Sequence, residues 1–126
     1  MTPPIFAAVN VPAVQALLKT GSGPLRFYLF GMAPQDVAYP YAVWRQISGT
    51  PENYIGDRPD VDTFTLQVEV YANPAQGPAV TRQISAALAT AIEGHAHVTF
   101  WMGEDRDPDT KSYVSRFQCD WWVNRS

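Results

Sequence analysis

The most regular alternation of apolar and polar residues in the chain lies at 61–72. One parity of this segment is polar, and the other carries the apolar side chains Phe64, Leu66, Val68 and Val70. Because successive side chains of a strand point to opposite faces, the pattern predicts a strand with one buried face. Such a strand needs neighbours on both edges and a layer packed beneath it, so we place it at the centre of a sheet.

Four further segments are predicted to be strands, at 25–30, 41–49, 97–102 and 113–123. Two helical regions are predicted. Residues 3–19 form one broken helix or two short ones, with Thr2 and Asn10 as candidate N-caps. Residues 73–93 form a long helix that Gly94 ends, because its apolar residues recur at spacings of three and four. They are Val80, Ile84, Ala87, Leu88, Ala91 and Ile92.

The order is therefore helix, three strands, helix, two strands. Strands that follow one another directly indicate an α+β fold. We expect a mostly antiparallel sheet of four to five strands, with one long helix packed on it and short N-terminal helices. Residues 1–126 are expected to form a single domain. The polar segments 50–60 and 103–110 are predicted to be exposed loops, and loops as long as the first are often functional.

Composition narrows the function classes. Of the 126 residues, 46% are hydrophobic and 17% are charged, which is typical of a folded chain. The formal net charge of −3 argues against a nucleic-acid-binding protein. A single cysteine excludes an internal disulfide. The opening residues lack the basic start of a signal peptide and no apolar run reaches membrane-spanning length, so we expect a soluble protein made in the cytosol, with no membrane partner.

The candidate chemistry is sparse. Cys119 falls on the apolar parity of its predicted strand, which favours a packed thiol over a nucleophile. His95 and His97 are two possible metal ligands without a third, and whether they have any role is left open. The acidic run 104–109 lacks the glycine and the final glutamate that a calcium-binding loop needs. We therefore predict no catalytic residue, no cofactor and no metal site.

Two features exceed what a plain core requires. The first is the grouping of carboxylates in two polar segments, which are ordinary solvated loops or functional surfaces. The first segment carries Glu52, Asp57, Asp60 and Asp62, with Arg58 among them, and the second carries Glu104, Asp105, Asp107 and Asp109. The second feature is a set of tryptophans predicted to lie opposite the core face: Trp44, Trp101 and Trp122. Either the N-terminal helices cover them or they form a protein–protein interface.

Several stretches resemble the tail completion proteins of long-tailed bacteriophages and prophages, also described as tail terminator or head–tail joining proteins. The resemblance is carried by the opening Pro3-Pro4-Ile5, by 12–18, by Ala33-Pro34-Gln35, by 39–44, by Ile47-Ser48-Gly49-Thr50-Pro51, and by the strand 61–71 with the helix that follows Asn73. The C-terminal third fits by the order of its elements more than by its residues.

This resemblance implies a structural virion protein without enzymatic activity, assembled in the bacterial cytoplasm and located in the tail. It implies subunits that form a ring, usually a hexamer, at the head-proximal end of the tail. The expected partners are the tail tube protein, the head–tail connector proteins and DNA that passes through the channel without sequence-specific binding. The alternative is a free-standing cytoplasmic binding module that uses an aromatic sheet face for a small ligand or a protein.

The acidic segments suggest one physical hypothesis about such a ring. If 50–62 or 103–110 line the channel, repulsion between like charges keeps DNA from adhering as it passes, whereas a basic lumen would bind phosphates. The 50–60 segment is alternatively an arm that grips the neighbouring subunit or the tube. The sequence leaves both readings of this segment open.

Overall fold

The computed structural model of the chain describes residues 3–52 and 61–124. Within these ranges, three α-helices and five β-strands follow one another: α1 (Ile5–Val9), α2 (Pro12–Leu18), β1 (Phe27–Leu29), β2 (Tyr41–Glu52), β3 (Val61–Ala72), α3 (Pro78–Glu93), β4 (His97–Arg106) and β5 (Tyr113–Asn124). The α+β class and the expected order of elements are confirmed.

The strands form one five-stranded sheet in the order β1-β2-β3-β5-β4. Three of its four strand pairs are antiparallel, and the short edge strand β1 runs parallel to β2. The sheet is therefore mixed but mostly antiparallel. As the alternation of 61–72 predicts, β3 lies at the centre, between β2 and β5.

All three helices lie on one face of the sheet. Leu66, Val68 and Val70 of β3 point to that face and are completely buried. They belong to a single apolar cluster with residues of each helix, among them Ile5, Val14, Leu18, Ile84 and Leu88. The long helix α3 packs on β3, β4 and β5, and α1 and α2 pack on α3. The spacing of apolar residues at three and four along α3 supplies the stripe that this contact buries.

The N-terminal region consists of two short helices rather than one broken helix. Val11 is the N-cap of α2 and Pro12 occupies its first turn, where a missing amide hydrogen costs nothing. The side chain of Asn10, one of the two predicted caps, instead accepts a hydrogen bond from Gln15. The other, Thr2, lies outside the described residues.

The long helix starts later than predicted. Asn73 and Gln76 form a closed turn in which each side chain accepts a hydrogen bond from the other residue's backbone amide. Gly77 follows with a φ of 77°, a conformation that side chains with a Cβ rarely adopt, and α3 begins at Pro78. The prediction of a start at 73 was wrong because this local turn competes with the helix. Gly94 is the C-cap, as expected.

Three strand boundaries also differ from prediction. Strand β1 is shorter, whereas β2 continues to Glu52 and β4 to Arg106. These extensions run through residues that are poor strand formers, yet they pair in register with β3 and β5. Pro51 is tolerated because β1 pairs only with 42–44, which leaves the outer edge of β2 open at that point. Backbone pairing thus converts part of each predicted loop into strand.

Candidate assembly surfaces

The face of the sheet opposite the helices is the first candidate surface. Side chains of β2, β3, β4 and β5 reach it from every second position, and rows of partners cross it, such as Tyr41–Tyr71–Val114–Asp105. Its exposed or partly buried residues include charged, amide, hydroxyl and aromatic side chains. No helix of the described residues contributes to it, since all three join the cluster on the opposite face.

Polar pairs organise this helix-free face. Arg116 on β5 donates a hydrogen bond to Glu69 on β3 across 2.8 Å, and both side chains are partly buried. Thr65 donates to the carboxylate of Asp120 at 2.8 Å. These directly opposed cross-strand pairs fasten β3 to β5 from the side that lacks a hydrophobic layer.

Three tyrosines form an aromatic cluster at one end of the same face. The rings of Tyr41 and Tyr71 stack with their centroids 5.0 Å apart, and Tyr39 meets Tyr41 edge-on at 5.2 Å. Partial burial raises the pKa of Tyr41 to about 12, with smaller contributions from Tyr39 and Tyr71. Burial also raises the pKa of Tyr71, and the neighbouring Glu69 adds to that shift. Tyr41 and Tyr71 therefore carry neutral phenols over the whole physiological pH range.

Trp122 marks the other end of the helix-free face. It is 48% exposed and meets His97 edge-on, with ring centroids 5.2 Å apart. Its neighbour Trp121 is only 2% exposed and lies in the core. Two adjacent residues of a strand must point to opposite faces, so the exposure of Trp122 follows from the burial of Trp121.

The other two tryptophans do not lie where they were predicted. Trp44 pairs with Val68 and Trp101 pairs with Phe117, so both point to the helix-covered face. Trp44 is partly buried against the core cluster. Trp101 is 54% exposed because it sits on the edge strand beyond the cover of α3. The assignment failed because Tyr41 and Val43 on the opposite parity of β2 are also apolar, which conceals the face that is buried.

Trp101 forms the wall of a cleft between α3 and the edge strand β4. The cleft has a volume of about 340 Å³ and opens to solvent; Ala86, Ser85, Gly103 and Ser115 are among its lining residues. Arg82 and Glu104 close one side with two hydrogen bonds of 2.7 and 2.8 Å. The pair is exposed, and its hydrogen bonds lower the pKa of Glu104 and raise that of Arg82.

Asp62 and Asp105, one from each acidic segment, lie at opposite ends of the sheet. Asp62 pairs with Val123 near one end of β5, and Asp105 pairs with Val114 near the other. The nine residue steps from Val114 to Val123 span about 30 Å of strand. The side chain of Glu52 and the residues Asp57, Arg58 and Asp60 lie outside the part of the chain whose side chains the structure describes. A single narrow surface therefore cannot combine Asp62 and Asp105 within one subunit.

The second acidic segment is partly strand and partly turn. Glu104 and Asp105 belong to β4, whereas Asp107 opens the turn to β5 and accepts hydrogen bonds from the backbone amides of Asp109 and Thr110. Asp109 is exposed at the tip. Ser112, at the base of this turn, donates a hydrogen bond to the hydroxyl of Tyr39 at 2.9 Å. The turn is thereby fastened to the tyrosine cluster.

An apolar patch at the opposite edge of the sheet was missed by the sequence reasoning. Leu29, Phe30 and Met32 lie at the end of β1 and in the turn after it, and they are 41%, 59% and 68% exposed. The run Phe27-Tyr28-Leu29-Phe30 contains no charged residue to mark its exposed end. Leu29 and Phe30, followed after Gly31 by Met32, are large apolar residues at the end of a strand, and this run is the signal that could have indicated the patch.

A family model described as tail completion protein gp17 matches residues 4–124. The chain belongs to this family. It is a structural protein of the bacteriophage tail, as the resemblance in its sequence indicated. No match is found among curated proteins.

The described side chains of this tail completion protein offer little for catalysis. Cys119 is buried, lies 3.8 Å from the carbonyl oxygen of Leu66 and accepts a hydrogen bond from the Trp121 indole at 3.1 Å. Burial raises the pKa of its thiol to about 11, which disfavours the nucleophilic thiolate. Among the residues that the structure describes, no three histidine, cysteine, aspartate or glutamate side chains are grouped as a metal site would require. The family is likewise a structural one and not a known enzyme family.

None of the helices in the described ranges 3–52 and 61–124 has both the length and the apolar character needed to cross a membrane.

Proposed function

We propose that this tail completion protein assembles as a ring, with six subunits, at the head-proximal end of the tail. There it ends polymerisation of the tail tube and presents the surface to which the filled head attaches. The observation that carries the proposal is the one-sided sheet: its helices cover one face, while the other face and both edges are left to neighbouring proteins. Its partners are further copies of itself, the tail tube protein and the connector proteins of the head.

The shape of the subunit supports a ring over an isolated binding module. A closed ring needs two different contact surfaces on each subunit, because every copy meets one neighbour on each side. The sheet supplies two unlike edges, the apolar patch beside β1 and the cleft beside β4. A small ligand would instead require an enclosed apolar pocket, and the clefts of about 340 and 360 Å³ at the two edges of the sheet are open to solvent. The binding-module alternative therefore has less support.

The first experiment measures molecular mass by light scattering over a range of concentrations, with the protein alone and then mixed with tail tubes. We expect a mass six times that of the 14.0 kDa chain, either in solution or only in the presence of tubes. A species that forms only on tube ends supports tube termination specifically. A fixed monomer or dimer that ignores tubes would contradict the proposal.

We further propose that one acidic segment faces the channel, where repulsion between like charges keeps DNA moving. Because Asp62 and Asp105 lie at opposite ends of the sheet, the two segments are tested separately. Replacement of Asp57, Asp60 and Asp62 by lysine is compared with replacement of Asp105 and Asp109 by lysine. The set that faces DNA should slow genome ejection and increase retention of DNA in a salt-dependent manner, with assembly unchanged. If both sets leave infectivity unchanged, the channel hypothesis is wrong.

A further inference from the structure

We propose that neighbouring subunits of the ring join edge to edge, with Leu29, Phe30 and Met32 of one copy packed into the Trp101 cleft of the next. This inference rests on the proposed ring and names the surfaces that build it. We call the first surface the β1 patch and the second the β4 cleft. The occupant of each cleft is thus a second copy of the same chain.

The first argument is the position of the two surfaces along the strands. One row of paired residues crosses the entire sheet in the order Leu29, Trp44, Val68, Phe117, Trp101. It begins in the β1 patch and ends in the β4 cleft. At about 4.8 Å between strands, the two ends are roughly 19 Å apart across the sheet and at the same level along it.

This common level matters for closure of a ring. A rotation about an axis moves a surface around that axis without shifting it along the axis, whereas any shift produces an open helical filament. Two complementary surfaces at the same level are therefore compatible with a closed ring whose axis runs approximately parallel to the central strand β3. Surfaces at different levels would require each subunit to be displaced relative to the last.

The second argument is the exposed apolar area. The patch contributes Leu29, Phe30 and Met32, and the cleft contributes Trp101. At about 200 Å² per large side chain, their exposed fractions amount to about 450 Å² of apolar surface. A standard interface buries about 1,600 Å², of which about 900 Å² is apolar. These four side chains supply roughly half of that area.

The third argument is the charge around each surface. Among the described side chains of the β1–β2 edge, basic residues outnumber acidic ones; Arg26 and Arg45 are accompanied by Asp36. Beside the cleft, Arg82 and Glu104 neutralise each other, and the remaining charges are Asp105, Asp107 and Asp109 with Arg106 and Lys111. A basic edge facing a mildly acidic one steers the two surfaces together and disfavours contact between like edges.

The deciding experiment is site-directed cross-linking. Met32→Cys on the β1 patch and Ala86→Cys in the β4 cleft are combined in one chain, assembled with tail tubes and treated with a short bismaleimide. We expect a ladder of covalent species that ends at the size of the ring. Each single variant alone should give no covalent dimer, because like edges do not meet and the natural thiol of Cys119 is buried. A mixture of the two single variants should give covalent dimers and nothing larger, since each joined pair has no second reactive edge.

A control pair places one cysteine on an exposed helix residue outside both surfaces, as Phe6→Cys with Met32→Cys, and should give no ladder. Assembly is then measured for Phe30→Asp against the matched control Phe6→Asp, with thermal melting to verify that both are folded. We expect Phe30→Asp to raise the concentration for half-assembly at least about 30-fold, as loss of a central anchor does. The control variant should assemble normally.

The outcomes separate this inference from the function on which it rests. If the unmodified protein forms rings while Phe30→Asp assembles normally and the cysteine pair gives no ladder, the contact lies elsewhere and the ring stands. If the unmodified protein forms no ring, alone or with tubes, the proposed function fails and this inference fails with it. Covalent dimers from Met32→Cys alone would also overturn it, because they would indicate contact between like edges.

Discussion

The helix-covered and helix-free faces of the sheet are held together by different interactions, although the same strands build both. On the covered face, completely buried residues such as Leu66, Val68 and Phe117 pack against three helices. On the free face, cross-strand pairs such as Glu69–Arg116 and the stacked Tyr41–Tyr71 connect neighbouring strands. Stability is thereby concentrated on one side, and the other side remains free to meet a partner.

The free face nevertheless has no buried polar side-chain atom that needs a new partner. Among the described residues, no buried side-chain nitrogen or oxygen atom lacks a hydrogen-bond partner. A protein that covered this face would therefore gain little from forming hydrogen bonds to buried, unsatisfied groups. This contrast distinguishes it from the two edges, where exposed apolar side chains gain directly from burial.

The largest change in the free energy of unfolding is expected from a substitution on the covered face. Phe117→Ala removes a completely buried ring from the centre of the core and should lower the free energy of unfolding by about 3–5 kcal/mol. Trp122→Ala on the free face is the matched control and should cost less than about 1 kcal/mol, because its ring is half exposed. Urea denaturation measures both values. Equal losses of stability for the two variants would contradict the claim that stability is concentrated on the covered face.

A smaller change in the free energy of unfolding is expected when an ion pair of the free face is broken. Arg116→Met removes the cation that faces the partly buried Glu69 and should cost roughly 1–2 kcal/mol, between the values for exposed and buried ion pairs. Arg82→Met breaks the fully exposed pair with Glu104 and should cost clearly less. A double-mutant cycle with Glu69→Gln isolates the coupling between Arg116 and Glu69. Zero coupling would show that the free face gains nothing from this pair.

The smallest effect concerns pH. Burial raises the pKa of Tyr41 from 10.0 to about 12, so the folded state holds this proton more tightly than the unfolded chain does. The resulting stability is fully present below pH 10 and is lost as the pH rises through about 12. Ultraviolet titration of tyrosinate should show a late component that Tyr41→Phe removes and that denaturant abolishes. Loss of an early component instead would show that the ring is freely solvated.

Much of the architecture could be predicted because the burial pattern of each element is local. The alternation in 61–72 predicted both the central strand and its buried face, and the apolar spacing predicted the long helix. The adjacent tryptophans required that one of them leave the core. The resemblance of stretches such as 39–44 to tail completion proteins indicated the family, which the family comparison confirms.

The errors arose where contacts distant in sequence override local preference. Pairing with β3 and β5 extended β2 to Glu52 and β4 to Arg106, despite the polar residues there. The faces of Trp44 and Trp101 were misassigned because both parities of those strands contain apolar residues. The separation of Asp62 from Asp105, by about 30 Å, could not be predicted because it depends on strand register.

By itself, the sequence determined which segments are strands and helices, which face of β3 is buried, and that Cys119 is a packed thiol. These are consequences of side-chain periodicity, which acts within a single element. Only the tertiary structure decided that Leu29 and Trp101 end one row across the sheet, at its two opposite edges. That alignment arises from backbone hydrogen bonds among five strands, and the register of such bonds is a property of the assembled sheet.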